Sequence, residues 1–66
     1  MWVVVYMVQG KEMSERIRDL LTKEGFLFKI KPIYKNVAPE DNYYKVMVPK
    51  SEANEAHKVL MENRYL

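Results

Sequence analysis

Cysteine is absent, histidine occurs once, and glycine supplies only two of the 66 residues. No disulfide can therefore staple the chain and no thiolate can hold a metal, while His57 by itself cannot build a zinc site. Two isolated glycines, Gly10 and Gly25, cannot form a phosphate-cradling loop. The N-terminal apolar stretch, Trp2 to Val8, falls far short of the roughly 20 residues a helix needs to span a bilayer. No basic segment precedes that run and no small-residue cleavage site follows it, so it does not read as a secretory signal. Ser14 and Ser51 have neither a nucleophile elbow nor an identifiable base. The expectation is a cytoplasmic protein that is not an enzyme, with no cofactor and no metal.

What is present is a short, soluble-looking chain: 48% hydrophobic and 30% charged, too apolar for disorder. At this length one domain is expected, residues 1–66. It buries only about 60% of the surface that its unfolded form exposes. Small scaffolds of this kind usually need disulfides, metals or a partner subunit, and the first two are excluded. Net charge is +2, and it is unevenly placed. Residues 1–10 carry no charged side chain, while residues 25–50 carry Lys29, Lys31, Lys35, Lys45 and Lys50 against Glu40 and Asp41. No long Lys/Arg run of the kind found in nucleic-acid arms occurs.

Periodicity sets out five elements. Trp2–Val8 is β-branched and aromatic throughout, which predicts a strand apolar on both faces. Met13, Ile17, Leu20 and Leu21 recur at helical spacing within Lys11 to Glu24, with Glu12–Arg16 and Asp19–Lys23 as i,i+4 pairs on the wet side. Gly25 supplies a left-handed stop, and Phe26 is placed to fold back on the last turn. Phe26 to Ile33 alternates as a second strand, and Pro32 pushes it to a sheet edge or ends it. Tyr34 to Asn42 is a polar loop with a turn at Pro39-Glu-Asp-Asn42. Tyr43 to Pro49 alternates again, with Tyr44, Val46 and Val48 opposite Tyr43, Lys45 and Met47. Ser51 is a candidate N-cap for a second helix whose apolar face is Ala53, Ala56, Val59 and Leu60.

The order βαββα predicts an α+β, ferredoxin-like (split βαβ) fold. Its sheet has the order 1-3-2, both helices lie on one face, and Asn63–Leu66 offers room for a short fourth strand. Two consequences follow for the first strand. It would lie at an open edge, and simple alternation would put Trp2, Val4, Tyr6 and Val8 on the sheet face away from the helices, beside Met47, Tyr43 and Leu27. That is a large apolar area to leave in water.

The opening Met1-Trp-Val-Val-Val-Tyr6, the stretch Ile17 to Gly25, and the stretch Val46 to His57 together resemble a family of short bacterial domains. That family is of unknown function; it is labelled as signal-transducing proteins and has a PII-like, ferredoxin-like fold. The resemblance implies the fold and gives a hint of regulation, but no catalytic or ligand residues to carry over. In PII proteins the segment between the second and third strands is a long effector loop; the corresponding Tyr34–Asn42 is much shorter.

Three partner readings follow. Trp2, Val4, Tyr6, Val8 and Met47 form a candidate self-association surface, since aromatic residues suit a subunit interface. Lys29, Lys31, Tyr43 and Lys45 form a candidate ligand or single-stranded nucleic-acid surface. Self-association is favoured over nucleic-acid binding, because no aromatic RNA-recognition signature lies on the third strand. A small-molecule effector at the Tyr34–Asn42 loop rests on fold analogy. His57, beside Lys58, reads as a helix-surface residue, and no membrane association is expected.

Overall fold

The computed structural model describes all residues, 1–66. Strand β1 (Trp2–Gln9) leads into helix α1 (Lys11–Lys23). Strand β2 (Lys29–Pro32) and strand β3 (Tyr43–Pro49) follow. A single 3-10 turn (Lys50–Glu52) then runs into helix α2 (Ala53–Glu62). The sheet is antiparallel, with order β1-β3-β2. This is the α+β, ferredoxin-like βαββα arrangement that the sequence predicts, with three strands. Residues after α2 turn back onto the core and form no fourth strand.

One face of the sheet builds the core. Val46 and Val48 of β3 are fully buried against Ile17 and Leu21 of α1 and Ala56 and Leu60 of α2. Both helices therefore cover the same side. Full burial of each large aliphatic side chain is worth about 1.5–3 kcal/mol, so these few residues carry much of the fold. Phe26, Phe28 and Ile30 pack around the same cluster. The Arg18 guanidinium lies 5.8 Å from the Phe28 ring centroid and roofs this corner.

Both helices end alike. After α1, Phe26 N–H donates to the Leu21 carbonyl at 2.9 Å and Gly25 N–H to that of Thr22 at 3.1 Å, with Gly25 at φ +82. This is the Schellman pattern expected from Gly25-Phe26. After α2, Tyr65 N–H donates to the Leu60 carbonyl at 2.8 Å and Arg64 N–H to that of Met61 at 3.0 Å. Here Arg64 takes the left-handed position, at φ 66. Tyr65 thereby packs on the core, edge-on to Tyr6 with ring centroids 6.3 Å apart.

Several details depart from the sequence expectations. The second strand, Lys29–Pro32, is shorter than Phe26–Ile33, and at its start Phe26 gives its N–H to the α1 terminus instead of to a ladder. Ser51 lies inside the 3-10 turn and caps nothing with its side chain; α2 starts at Ala53 after Glu52, again without a side-chain cap. On α1, Glu12–Arg16 is joined by Lys11–Glu15 and Arg18–Glu15 pairs at 3.5–3.9 Å, while Asp19 and Lys23 form no bridge. All three pairs are solvent-exposed and so worth little.

The largest departure is in β1. The pairing with β3 runs Trp2–Pro49, Val3–Val48 and Val4–Met47, then skips Val5 and resumes with Tyr6–Val46, Met7–Lys45, Val8–Tyr44 and Gln9–Tyr43. This β-bulge inserts one residue and reverses the alternation beyond it. Tyr6 and Val8, expected on the open face, therefore lie on the helix side. Tyr6 packs against the core and Val8 is buried. Met7 takes the outward place instead.

Candidate functional site

The sheet face away from the helices is built in transverse rows fixed by the two ladders. Trp2 faces Pro49 in the first row. Val4, Met47 and Lys29 make the second. Met7, Lys45 and Lys31 make the third, and Gln9 with Tyr43 the fourth. From Pro49 to Tyr43 the face is about 20 Å long, at roughly 3.4 Å per residue.

The rows divide it lengthwise. The β1 side is apolar, with Val4 50% and Met7 54% exposed. On the β2 side stand Lys29 and Lys31. The three strands together carry Lys29, Lys31 and Lys45 and not one Asp or Glu. Every side-chain ion pair of the molecule lies on α1, so none of these lysines is neutralised by a carboxylate.

Two contacts organise this surface. The Lys29 side chain reaches across the middle strand to place Nζ 4.2 Å from the centroid of the Trp2 ring, a cation–π contact. At the other end the Tyr43 and Tyr34 rings meet edge to face, centroids 6.4 Å apart, both substantially exposed. Tyr34 is held by Asn42, which is 3% exposed. The Asn42 Oδ1 accepts from the N–H groups of Tyr34 (3.2 Å) and Tyr43 (2.7 Å), and its Nδ2 donates to the Tyr34 carbonyl at 2.9 Å. The Asn42 backbone joins in. Its carbonyl accepts from Gly10 N–H at 2.8 Å and its N–H donates to the Ala38 carbonyl at 3.0 Å. The Tyr44 hydroxyl donates to the Pro39 carbonyl at 3.1 Å, tying down the turn.

Of the residues singled out in the sequence, the structure brings Trp2, Val4, Met47, Lys29, Lys31, Tyr43 and Lys45 onto one surface. It removes Tyr6 and Val8 from that surface and adds Met7, Pro49 and Gln9. Leu27 is exposed but precedes β2. Asn42, which the sequence places only as the end of the Tyr34–Asn42 loop and its turn, is the residue that clamps that loop; an Asn at the junction of a turn and a strand is a signal for such backbone bonding.

No pocket opens on this surface. No three His, Cys, Asp or Glu side chains come together to hold a metal ion. His57 is exposed on α2. No helix is long and apolar enough to cross a membrane. Comparisons with protein-family models, with curated proteins and with solved structures found no match to this chain.

Proposed function

We propose that this protein is a small, non-enzymatic, cytoplasmic binding or regulatory module that self-associates by pairing β1 with β1 of a second copy. The observation that carries the reading is the difference between the two sheet edges. The β2 edge bears Lys29, Lys31 and Pro32, residues that block the addition of another strand. The β1 edge, from Trp2 to Gln9, bears no charge and no proline. Its only protective device is the bulge at Val5, which twists the edge locally.

Charge selects the manner of association. Stacking two open faces would bring Lys29, Lys31 and Lys45 of each copy against one another with no carboxylate between them, at a cost of several kcal/mol. Edge-to-edge pairing avoids this and covers the apolar side: Trp2, Val4 and Met7 of one copy would adjoin those of the next. The regulatory part of the reading draws on the resemblance to the PII-like signal-transducing family. The segment that matches the PII effector loop is here short and pinned by Asn42, which favours a role in shaping the face over a role as a mobile effector arm.

Sedimentation equilibrium at micromolar concentration tests the reading. The expected mass is twice the 7.9 kDa of the chain. The double variant Val4→Lys/Met7→Lys, which places charge beside the β1 edge at two exposed positions, should be monomeric with an unchanged circular dichroism spectrum. A wild-type protein that stays at 7.9 kDa removes the proposed interface.

A further inference from the structure

We infer that the lysine-bearing half of the open face binds single-stranded nucleic acid. Lys31 and Lys45 are direct cross-strand partners. Like charges in that position destabilise a sheet, and no carboxylate lies within ion-pairing distance of either. Lys29 is the next outward residue along β2, adding a third uncompensated charge on the same surface. A polyanion lying along the face relieves this repulsion; nothing within the chain does.

The aromatic groups identify which polyanion. Trp2 lies at one end of the face, and the Tyr43–Tyr34 pair at the other. The lysines are between them. Rings that can stack bases, set beside ammonium groups that can meet phosphates, are the combination that single-strand binders use. An acidic peptide has charge but no planar faces to stack on these rings. Lys29 couples the two functions: a phosphate that draws its ammonium off the indole exposes the Trp2 ring to a base. The Asn42 clamp keeps Tyr34 beside Tyr43 before any ligand arrives, so little ordering is needed on binding. The inference names a partner for the binding module proposed above, and it does not require the second copy.

The test uses the whole protein with mixed-sequence single-stranded DNA and RNA oligonucleotides, titrated at low salt, on the order of 50 mM. Trp2 is the only tryptophan, so quenching of its fluorescence reports stacking directly. Three phosphate contacts predict a slope of log K against log salt of about −2, at roughly −0.7 per contact on single strands. Lys31→Glu places a carboxylate opposite Lys45. It should raise the thermal midpoint while weakening binding at least tenfold, a combination that a purely structural lysine would not show. Absence of binding and of Trp2 quenching at low salt overturns the inference. So does equal affinity for polyglutamate, or binding confined to phosphatidylserine vesicles. Light scattering on the same samples keeps the two proposals apart: a monomer that binds oligonucleotide upholds this one and removes the β1 dimer, whereas a dimer that binds none does the reverse.

Discussion

The Asn42 side-chain amide pairs with both backbone polar groups of Tyr34, donating to its carbonyl at 2.9 Å and accepting from its N–H at 3.2 Å. It stands in for a strand residue, extending the β2–β3 ladder one step beyond the Ile33 N–H bond to the Tyr43 carbonyl. Through its own carbonyl it also joins this loop to Gly10, at the start of α1. The side-chain amide thus positions the loop and the Tyr34–Tyr43 pair, while the backbone of the same residue ties them to the β1–α1 turn.

Replacing that amide should be expensive. Asn42→Ala removes three side-chain hydrogen bonds and leaves partly buried backbone groups unpaired, an expected loss of about 2–4 kcal/mol in urea unfolding. Asn42→Asp keeps the acceptor but turns a second oxygen toward the Tyr34 carbonyl, so it should lose comparable stability despite its matching shape. Faster hydrogen exchange at the amides of Tyr34 and Tyr43 should accompany both. A loss below about 1 kcal/mol would show that the clamp is incidental.

The two helix ends make a matched pair with opposite predictions. Gly25 and Arg64 hold the same left-handed position after α1 and α2, but only the glycine adopts it without steric cost. Arg64→Gly should therefore stabilise the protein by about 0.5–1 kcal/mol, the relief of the left-handed strain less the added flexibility of the unfolded chain. Gly25→Ala should destabilise it by about 1 kcal/mol. A Cβ at Gly25 meets nothing within 4 Å, so that loss is conformational and not a clash. Thermal melts of the two variants moving in the same direction would contradict the assignment.

Core truncations should be graded by the room available to relax. Leu60 is fully buried between the α2 terminus and the sheet, and Leu60→Ala should cost about 2–5 kcal/mol. Ile17→Val, at an equally buried position, should cost only about 0.5–1.5 kcal/mol. A domain of this size has a total stability of about 3–10 kcal/mol, so the first variant should be largely unfolded at moderate urea and the second should not. Loss of cooperativity in Ile17→Val would mean that the core is less tightly packed than its burial indicates.

Much of the architecture is legible in the residues. Tyr43–Pro49 alternates without interruption, and it is the central strand with the expected inner and outer sets. Gly25-Phe26 announces the end of α1, and Pro32 places β2 at an edge. The candidate surface is only partly legible. Every residue from Trp2 to Val8 is apolar, so no hydrophobic pattern fixes which of them face inward, and a single inserted residue goes unmarked. Asn42 is legible only in part: its place between a turn and a strand signals backbone bonding, but the Tyr34 groups that it clamps lie eight residues away, which composition does not register.

What the amino-acid sequence determines by itself is the set of elements, the α+β class and the sheet order, because these follow from local period, chain breakers and short connections. Only the tertiary structure decides which atoms the open face presents. The bulge at Val5 turns Tyr6 and Val8 inward and Met7 outward, and the β2–β3 register sets Lys31 against Lys45. Register is a relation between strands distant in the chain. It is chosen by the fit of Val46 and Val48 beneath both helices, so the functional surface is in part a by-product of how the opposite face packs.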